Sequence, residues 1–263
     1  MIKSISGYFF AAFRTRYYYR LNTVFQLIGV GVIILIQYFI WINIENGNPN
    51  VSNNIEIILY VILTPILMRM LPSHSTVQFL ATKIIDGRIT TLLLKPIPLF
   101  LINMANELGT ILYKIIFITL PTLLIGGIFL NELDLSIITF ERILFFSFAY
   151  LNSFILAFLI LQLISYLAIF TGNYWGIMEF YDALLIIFGG ILIPIALYPD
   201  WLQEITSFLP FQAIISTPIS YLTNSTLNTS TPIIIQIIWI IIFALINIIA
   251  SKLISKNSLF FGG

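Results

Sequence analysis

Four ionisable side chains, Glu107, Lys114, Glu179 and Asp182, fall inside apolar runs of a chain in which only 9% of residues are charged. A charge held at the middle of a bilayer costs on the order of 2.5–3.5 kcal/mol on insertion scales, so each needs a partner, water or a ligand. Glu107 and Lys114 are seven residues apart. That spacing puts them on one helix face but about 10.5 Å apart along the axis, too far for direct contact, and each is expected to find a different partner. Glu179 and Asp182 also share a face, and as two carboxylates they repel unless a cation or water lies beside them. Structural pairing or snorkelling is one reading of all four, and a substrate path is the other. Catalysis finds less support. Nucleophilic chemistry needs an oriented base, and the chain has one histidine, His74, with no ligand cluster around it for a metal. It has no cysteine, which removes thiolate nucleophiles, cysteine-ligated metals and disulfides. No Gly-Lys dipeptide occurs, so the phosphate-cradling loop of an ATPase is missing. The expectation is a chain with no catalytic residue, no metal and no cofactor of its own.

The elements that position these charges are set by composition. Hydrophobic residues make up 59% of the 263 residues, and an ordinary soluble domain carries about 25% charged residues, far more than this chain. The surrounding solvent is therefore lipid, and length is counted in spans of about 20 apolar residues. The apolar runs 23–42, 55–70, 98–130, 143–170, 175–195 and 233–250 predict an all-α, six-span membrane domain over the whole chain. Pro65 is a predicted kink in the second run. The third run is too long for one perpendicular helix, so an interfacial or tilted start precedes its span. Residues 43–54, 131–141 and 223–231 read as loops, rich in Asn, Gly, Pro, Ser, Thr or acidic residues.

Charge placement orients the spans. With an even number of them, Lys3, Arg14, Arg16, Arg20, Arg69, Lys83, Arg88, Lys95, Lys252 and Lys256 fall on one side and Arg142 alone on the other, so both termini and segment 71–98 are placed in the cytoplasm. A net charge of +1 implies no nucleic-acid partner. Arg14, Arg16 and Arg20, interleaved with Phe13, Tyr17, Tyr18 and Tyr19, read as an interfacial anchor over residues 1–22 rather than a nucleic-acid patch.

Within the cytoplasmic segment, Ser75 is a candidate cap for a helix in which Val77, Leu80, Ala81 and Ile84 recur at helical spacing, ending at Gly87. Such a helix is either offered to the cytosol or laid on the inner leaflet. Between the fifth and sixth runs, segment 199–231 has apolar pieces too short to cross, suited to re-entrant or interfacial helices.

Ile85-Asp86-Gly87-Arg88-Ile89-Thr90, followed by Leu92-Leu93-Leu94-Lys95-Pro96-Ile97, resembles the loop after the second span in bacterial ABC exporter permeases of the second type, the ABC-2 family. Phe188-Gly189-Gly190-Ile191-Leu192-Ile193-Pro194, then Tyr198-Pro199 and Leu209-Pro210-Phe211, resembles that family near the fifth span. The resemblance implies a coupling helix at 75–88 that docks into an ATPase groove through Ser75, Val77, Leu80, Ile84, Asp86, Gly87 and Arg88. It implies an exit gate that dips into the outer leaflet, formed around Gly189, Gly190, Pro194, Pro199, Pro210 and Phe211. It makes the N-terminal helix a connector packed beside the ATPase. The implied partners are ABC ATPase subunits carrying ATP and Mg, and a second permease chain, the same or related, in a bacterial cytoplasmic membrane; drug, peptide, glycan and lipid all remain open as cargo. An ATP-independent secondary transporter, whose intramembrane carboxylates carry coupling protons, and a membrane scaffold or immunity protein are the alternatives.

Overall fold

A computed structural model of the chain describes residues 2–47, 55–130, 138–223 and 230–257. Most of the three expected loops lies outside the described residues. Among the described residues every regular element is helical. Helix α1 (Ile2–Tyr18) turns at Tyr19 into α2 (Arg20–Gly47), and α3 is Ile55–Met68 with Pro65 inside it. Helices α4 (His74–Ile85) and α5 (Thr90–Leu93) fill the polar segment. A continuous run follows: α6 (Leu99–Lys114), a π-helical turn (Ile115–Thr119) and α7 (Leu120–Leu130). Then come α8 (Phe140–Thr171), α9 (Trp175–Phe188), the short helices α10 (Asp200–Phe208), α11 (Pro210–Ile214) and α12 (Ser216–Thr223), and α13 (Thr231–Asn257).

Four stretches, Arg20–Asn43, Leu99–Gly127, Phe140–Ala168 and Thr231–Ile254, are long and apolar enough to cross a membrane. The expected second and fifth runs fold differently. Helices α3 and α9 have 14 residues each, a rise of about 21 Å against a hydrocarbon core of about 30 Å. The fifth run was expected to reach residue 195, but its helix stops at Phe188 because Gly189 turns and Gly190 takes a φ of 77°. Left-handed backbone is open to glycine and strained for other residues.

Packing defines two ends of the bundle. At one end Leu80, Ile89, Leu92 and Ile97 cluster with Tyr166 late in α8, Ile254 late in α13, and Ile5 and Tyr8 of α1. At the other, Ala149, Tyr221 and Ile233 meet. The start of α1 and the end of α13 therefore lie at the end that holds segment 71–98. Helix α8 is the shared partner, packed by α4, α11, α12 and α13. Polar ties stitch it to its neighbours: the buried Gln236 Nε2 donates to the carbonyls of Ala149 (3.1 Å) and Ala213 (2.8 Å), and Asn247 Nδ2 donates to the Leu159 carbonyl (2.9 Å). Bonds of this kind between helices are each worth about 0.6–2 kcal/mol in a membrane.

Helix α1 lies along α6 rather than alone on a surface. Phe13 meets the Tyr113 ring edge-on at 5.7 Å, and Lys95 Nζ donates to Tyr8 Oη at 2.6 Å. The closest approach is at Gly109, where an added Cβ would sit 2.2 Å from the Phe9 carbonyl oxygen. Backbone there cannot yield cheaply, so Gly109→Ala should cost about 1–3 kcal/mol. Gly127, with open space around its Cβ position, is the control. Thermal unfolding of the purified protein should show a lowered midpoint for Gly109→Ala and none for Gly127→Ala; equal midpoints would disprove the tight α1–α6 contact.

Candidate functional site

The chemistry-bearing residues converge on the start of α4. Its N-cap is Ser73, in extended conformation with φ −147° and no side-chain cap bond. Ser75, expected as the cap, is instead the second residue of the helix, and its Oγ donates to Glu107 Oε2 at 3.0 Å. Ser73 Oγ accepts from Lys114 Nζ at 2.8 Å. Glu107 and Lys114 thus have separate partners as their spacing requires, and both partners lie in the same turn. A carboxylate is well placed here, because the first turn of a helix carries unsatisfied N–H groups and the positive end of its dipole. Glu107 is wholly buried, so its hydrogen bonds offset much of a desolvation cost that an unpaired carboxylate would carry alone.

The apolar stripe of α4 points inward. Val77, Leu80 and Ala81 are fully buried, and the helix packs against α8 and α6. This corrects the expectation that the stripe is offered to a partner, since the chain itself covers it. The outward face is Gln78, Ile85, Asp86 and Arg88, with Ile84 half-buried at its edge. Gly87 has a φ of 70° and its N–H donates to the Ile84 carbonyl at 3.1 Å, which ends the helix as its position predicts. Arg88 is hydrogen-bonded to Asp86 across that turn.

Asp182 and Glu179 separate. Asp182 Oδ2 is 2.6 Å from His74 Nε2, so the single histidine and one of the intramembrane carboxylates account for each other. Glu179 is exposed and has no ion pair among the described residues. His74 lines two cavities, and Asp182 lines the second of them. One, of about 320 Å³, is lined by Arg16, Asn22, Gln26, Arg69, Ser73, Gln78 and Lys114 among others. The second, of about 420 Å³, shares Arg69, Ser73, His74 and Lys114 and is otherwise walled mainly by apolar side chains.

Of the residues expected at a gate, Gly189 and Gly190 form a turn after α9, and the others lie in the short elements that follow. Tyr60 of α3 donates to the Gly190 carbonyl at 2.8 Å, and a Cβ on Gly190 would come within 2.7 Å of that hydroxyl and 2.9 Å of Ile195. Pro194 precedes a single 3-10 turn at Ile195–Leu197. Pro199 caps α10 and Pro210 begins α11, where its fixed φ and missing N–H cost nothing. Phe211 packs beside Tyr181 and Phe188, with ring centroids 6.3 and 6.4 Å away. The short pieces expected between the last two runs are α10 to α12.

A family model described as ABC-2 family transporter protein matches residues 32–259. This chain belongs to that family. A comparison with curated proteins finds none that matches it. The ABC-2 family consists of transport membrane subunits, so the chain is a multi-pass membrane protein of a transporter. The match takes in α3 to α13, and with them the α4 turn, the glycine turn and most of the lining of both cavities.

Sequence reasoning did not single out Arg69, Tyr60 or Gln236, or the pairing of His74 with Asp182. Arg69 was visible only as a charge at the end of a run, and the pairing joins residues 108 positions apart. At the exposed end of α4, Lys83 lies 3.4 Å over the Phe79 ring. Burial, with Arg88 and Lys95 adding repulsion, pushes its ammonium down from the ordinary 10.5 to about 8. The folded chain therefore binds fewer protons here than the unfolded one between pH 8 and 10.5, and this group's contribution to stability rises with pH across that window. Reductive methylation at pH 8 should modify Lys83 ahead of the exposed Lys3, and Lys95→Gln should slow it; equal rates for the two lysines would contradict the depressed value.

Proposed function

We propose that this chain is the permease subunit of an ATP-binding cassette exporter, with ATP and Mg bound by separate ATPase subunits and the pathway formed with a second permease chain. The observation that carries the reading is the family match over 32–259. The packing supports it, since α4 is exposed on one face at the same end as the start of α1 and the end of α13. The distribution of Lys and Arg makes that end cytoplasmic in a cell membrane. The four long helices cross the bilayer, and α3 and α9 complete two further crossings, each extended beyond its 14 residues by flanking turns.

In this reading the ATPase meets the face that the chain leaves open. Ile85, Asp86 and Arg88 make the contact, Gly87 sets its angle, and Val77 and Leu80 hold the helix to α8 so that a push on its outer face reaches the bundle. ATP-driven closure of the ATPase pair would bias the helices between inward-open and outward-open states by differential contacts. The turn at Gly189 and Gly190, with α10 to α12, serves as the gate at the opposite end. One observation favours a second reading: a His–Asp pair beside a cavity suits a proton-coupled carrier. Transport by this chain in vesicles lacking any ATPase would select it.

Copurification of the ATPase with the permease, followed by ATP turnover in lipid, tests the main reading. Ile85→Asp combined with Arg88→Glu should weaken assembly by about 1–4 kcal/mol, the cost typical of an interface hot spot, while the permease stays folded. Leu80→Ala should act differently, lowering the permease's own thermal stability by about 2–5 kcal/mol as a cavity in a packed core does. Full ATPase binding and turnover by the Ile85/Arg88 variant would disprove this docking face.

A further inference from the structure

The cavity at the elbow between α1 and α2 is unusual in its charge. Three cations reach it from three separate elements: Arg16 near the end of α1, Arg69 just past α3, and Lys114 at the end of α6. Among the described residues no carboxylate lines it. Among the described residues neither Arg16 nor Arg69 has a salt bridge, and the hydrogen bond of Lys114 goes to the neutral Ser73 hydroxyl. Glu107, bonded to Ser75 behind the cavity wall, acts on Lys114 and Arg16 at a distance but forms no salt bridge with either among the described residues. Three like charges around one space repel and lose hydration, a cost that a fold ordinarily removes by pairing. Asn22, Gln26 and Gln78 add uncharged polar groups to the same wall.

The adjoining cavity has the opposite character. Beyond the shared wall of Arg69, Ser73, His74 and Lys114, it is bounded mainly by side chains such as Ile33, Pro65, Met68, Leu185 and Ile191. Its one acid, Asp182, is already paired with His74. A cationic chamber of about 320 Å³ and a largely apolar chamber of about 420 Å³ thus meet along one wall. The pair matches a molecule with an anionic head and an apolar tail. Arginine guanidinium groups and a lysine suit a phosphate in particular, since it accepts several charge-assisted hydrogen bonds at once.

We propose that the two chambers hold a phosphate-bearing amphiphile, its phosphate among Arg16, Arg69 and Lys114 and its acyl chain against Ile33, Met68 and Ile191. The proposal rests on the permease reading for its consequence, which is that a lipid-like anion is taken up at the cytoplasmic end. Its binding half stands without that reading. No ATPase is needed to measure it, so a failure to bind lipid and a failure to bind ATPase are separate results.

The experiment is native mass spectrometry of the purified full-length chain with 1-palmitoyl-2-oleoyl phosphatidic acid, with phosphatidylcholine of the same chains, and with inorganic phosphate as competitor. The wild-type chain should retain one phosphatidic acid in preference to phosphatidylcholine. Arg69→Gln and Arg16→Gln should each weaken retention about tenfold or more, as loss of a charge-assisted contact does. Arg69→Lys should keep most of it. Arg14→Gln, which removes the same charge from an exposed position outside the cavity, should change nothing. Met68→Trp, filling the apolar chamber, should weaken phosphatidic acid binding and leave thermal stability near wild type. Equal loss in Arg14→Gln and Arg69→Gln would reduce the effect to general electrostatics and overturn the site. Displacement of the lipid by inorganic phosphate, with Met68→Trp silent, would show a site for a free anion and overturn the amphiphile.

Discussion

The arrangement of this permease depends on how two charges from one helix grip the first turn of another. Glu107 and Lys114, on the same face of α6, reach Ser75 and Ser73 at the start of α4. Neither could remain in an apolar bundle without such a partner, and the turn offers both signs what they need: a hydroxyl donor for the carboxylate and a hydroxyl acceptor for the ammonium. Once α4 is fixed there, its apolar stripe closes on α8 and its polar face turns outward. The same turn carries His74, which bonds Asp182 of α9 and lines both cavities. The exposed face of α4, a wall shared by two cavities and a contact to α9 therefore meet at one anchor.

Much of this was legible in the sequence where a single local rule governs. Long apolar runs became helices, the turn at Gly87 has the left-handed backbone that its place after an amphipathic run demands, and segment 199–223 folded as pieces too short to cross. The seven-residue spacing of Glu107 and Lys114 correctly required separate partners. What was not legible depends on tertiary choice. An amphipathic helix has one apolar face whether a partner or its own chain covers it, so Val77 and Leu80 could not declare that α8 lies beneath them. Run length overestimated α9, since Ile191 to Ile193 are as apolar as a helix needs, and only the glycine turn bonded to Tyr60 stops it at Phe188. Ser73 and Ser75 are equally good caps by type, and the choice between them was made by Lys114 and Glu107 from a distant part of the chain.

The two ends of the bundle are built for different tasks. At the end that holds the start of α1 and the end of α13, aromatic residues of α1, α4 and α6 interlock, as in Tyr8 with Phe79 and Phe13 with Tyr113. At the other, short helices lie between α8 and α13 and are held by Gln236 and Ser153 to the carbonyl of Ala213. Backbone irregularity is tolerated in a membrane only where protein or water covers it, and the buried Gly189 and Gly190 turn meets that condition through Tyr60.

The central claim is that the outer face of α4 lies in the cytoplasm and is the surface an ATPase contacts. The chain has no cysteine of its own, so a single cysteine at the exposed Ile85 gives an unambiguous report. With Ile85→Cys, a membrane-impermeant maleimide should fail to label intact cells, should label inside-out vesicles, and should label more slowly once the ATPase is bound. Labelling of intact cells from outside would contradict the account.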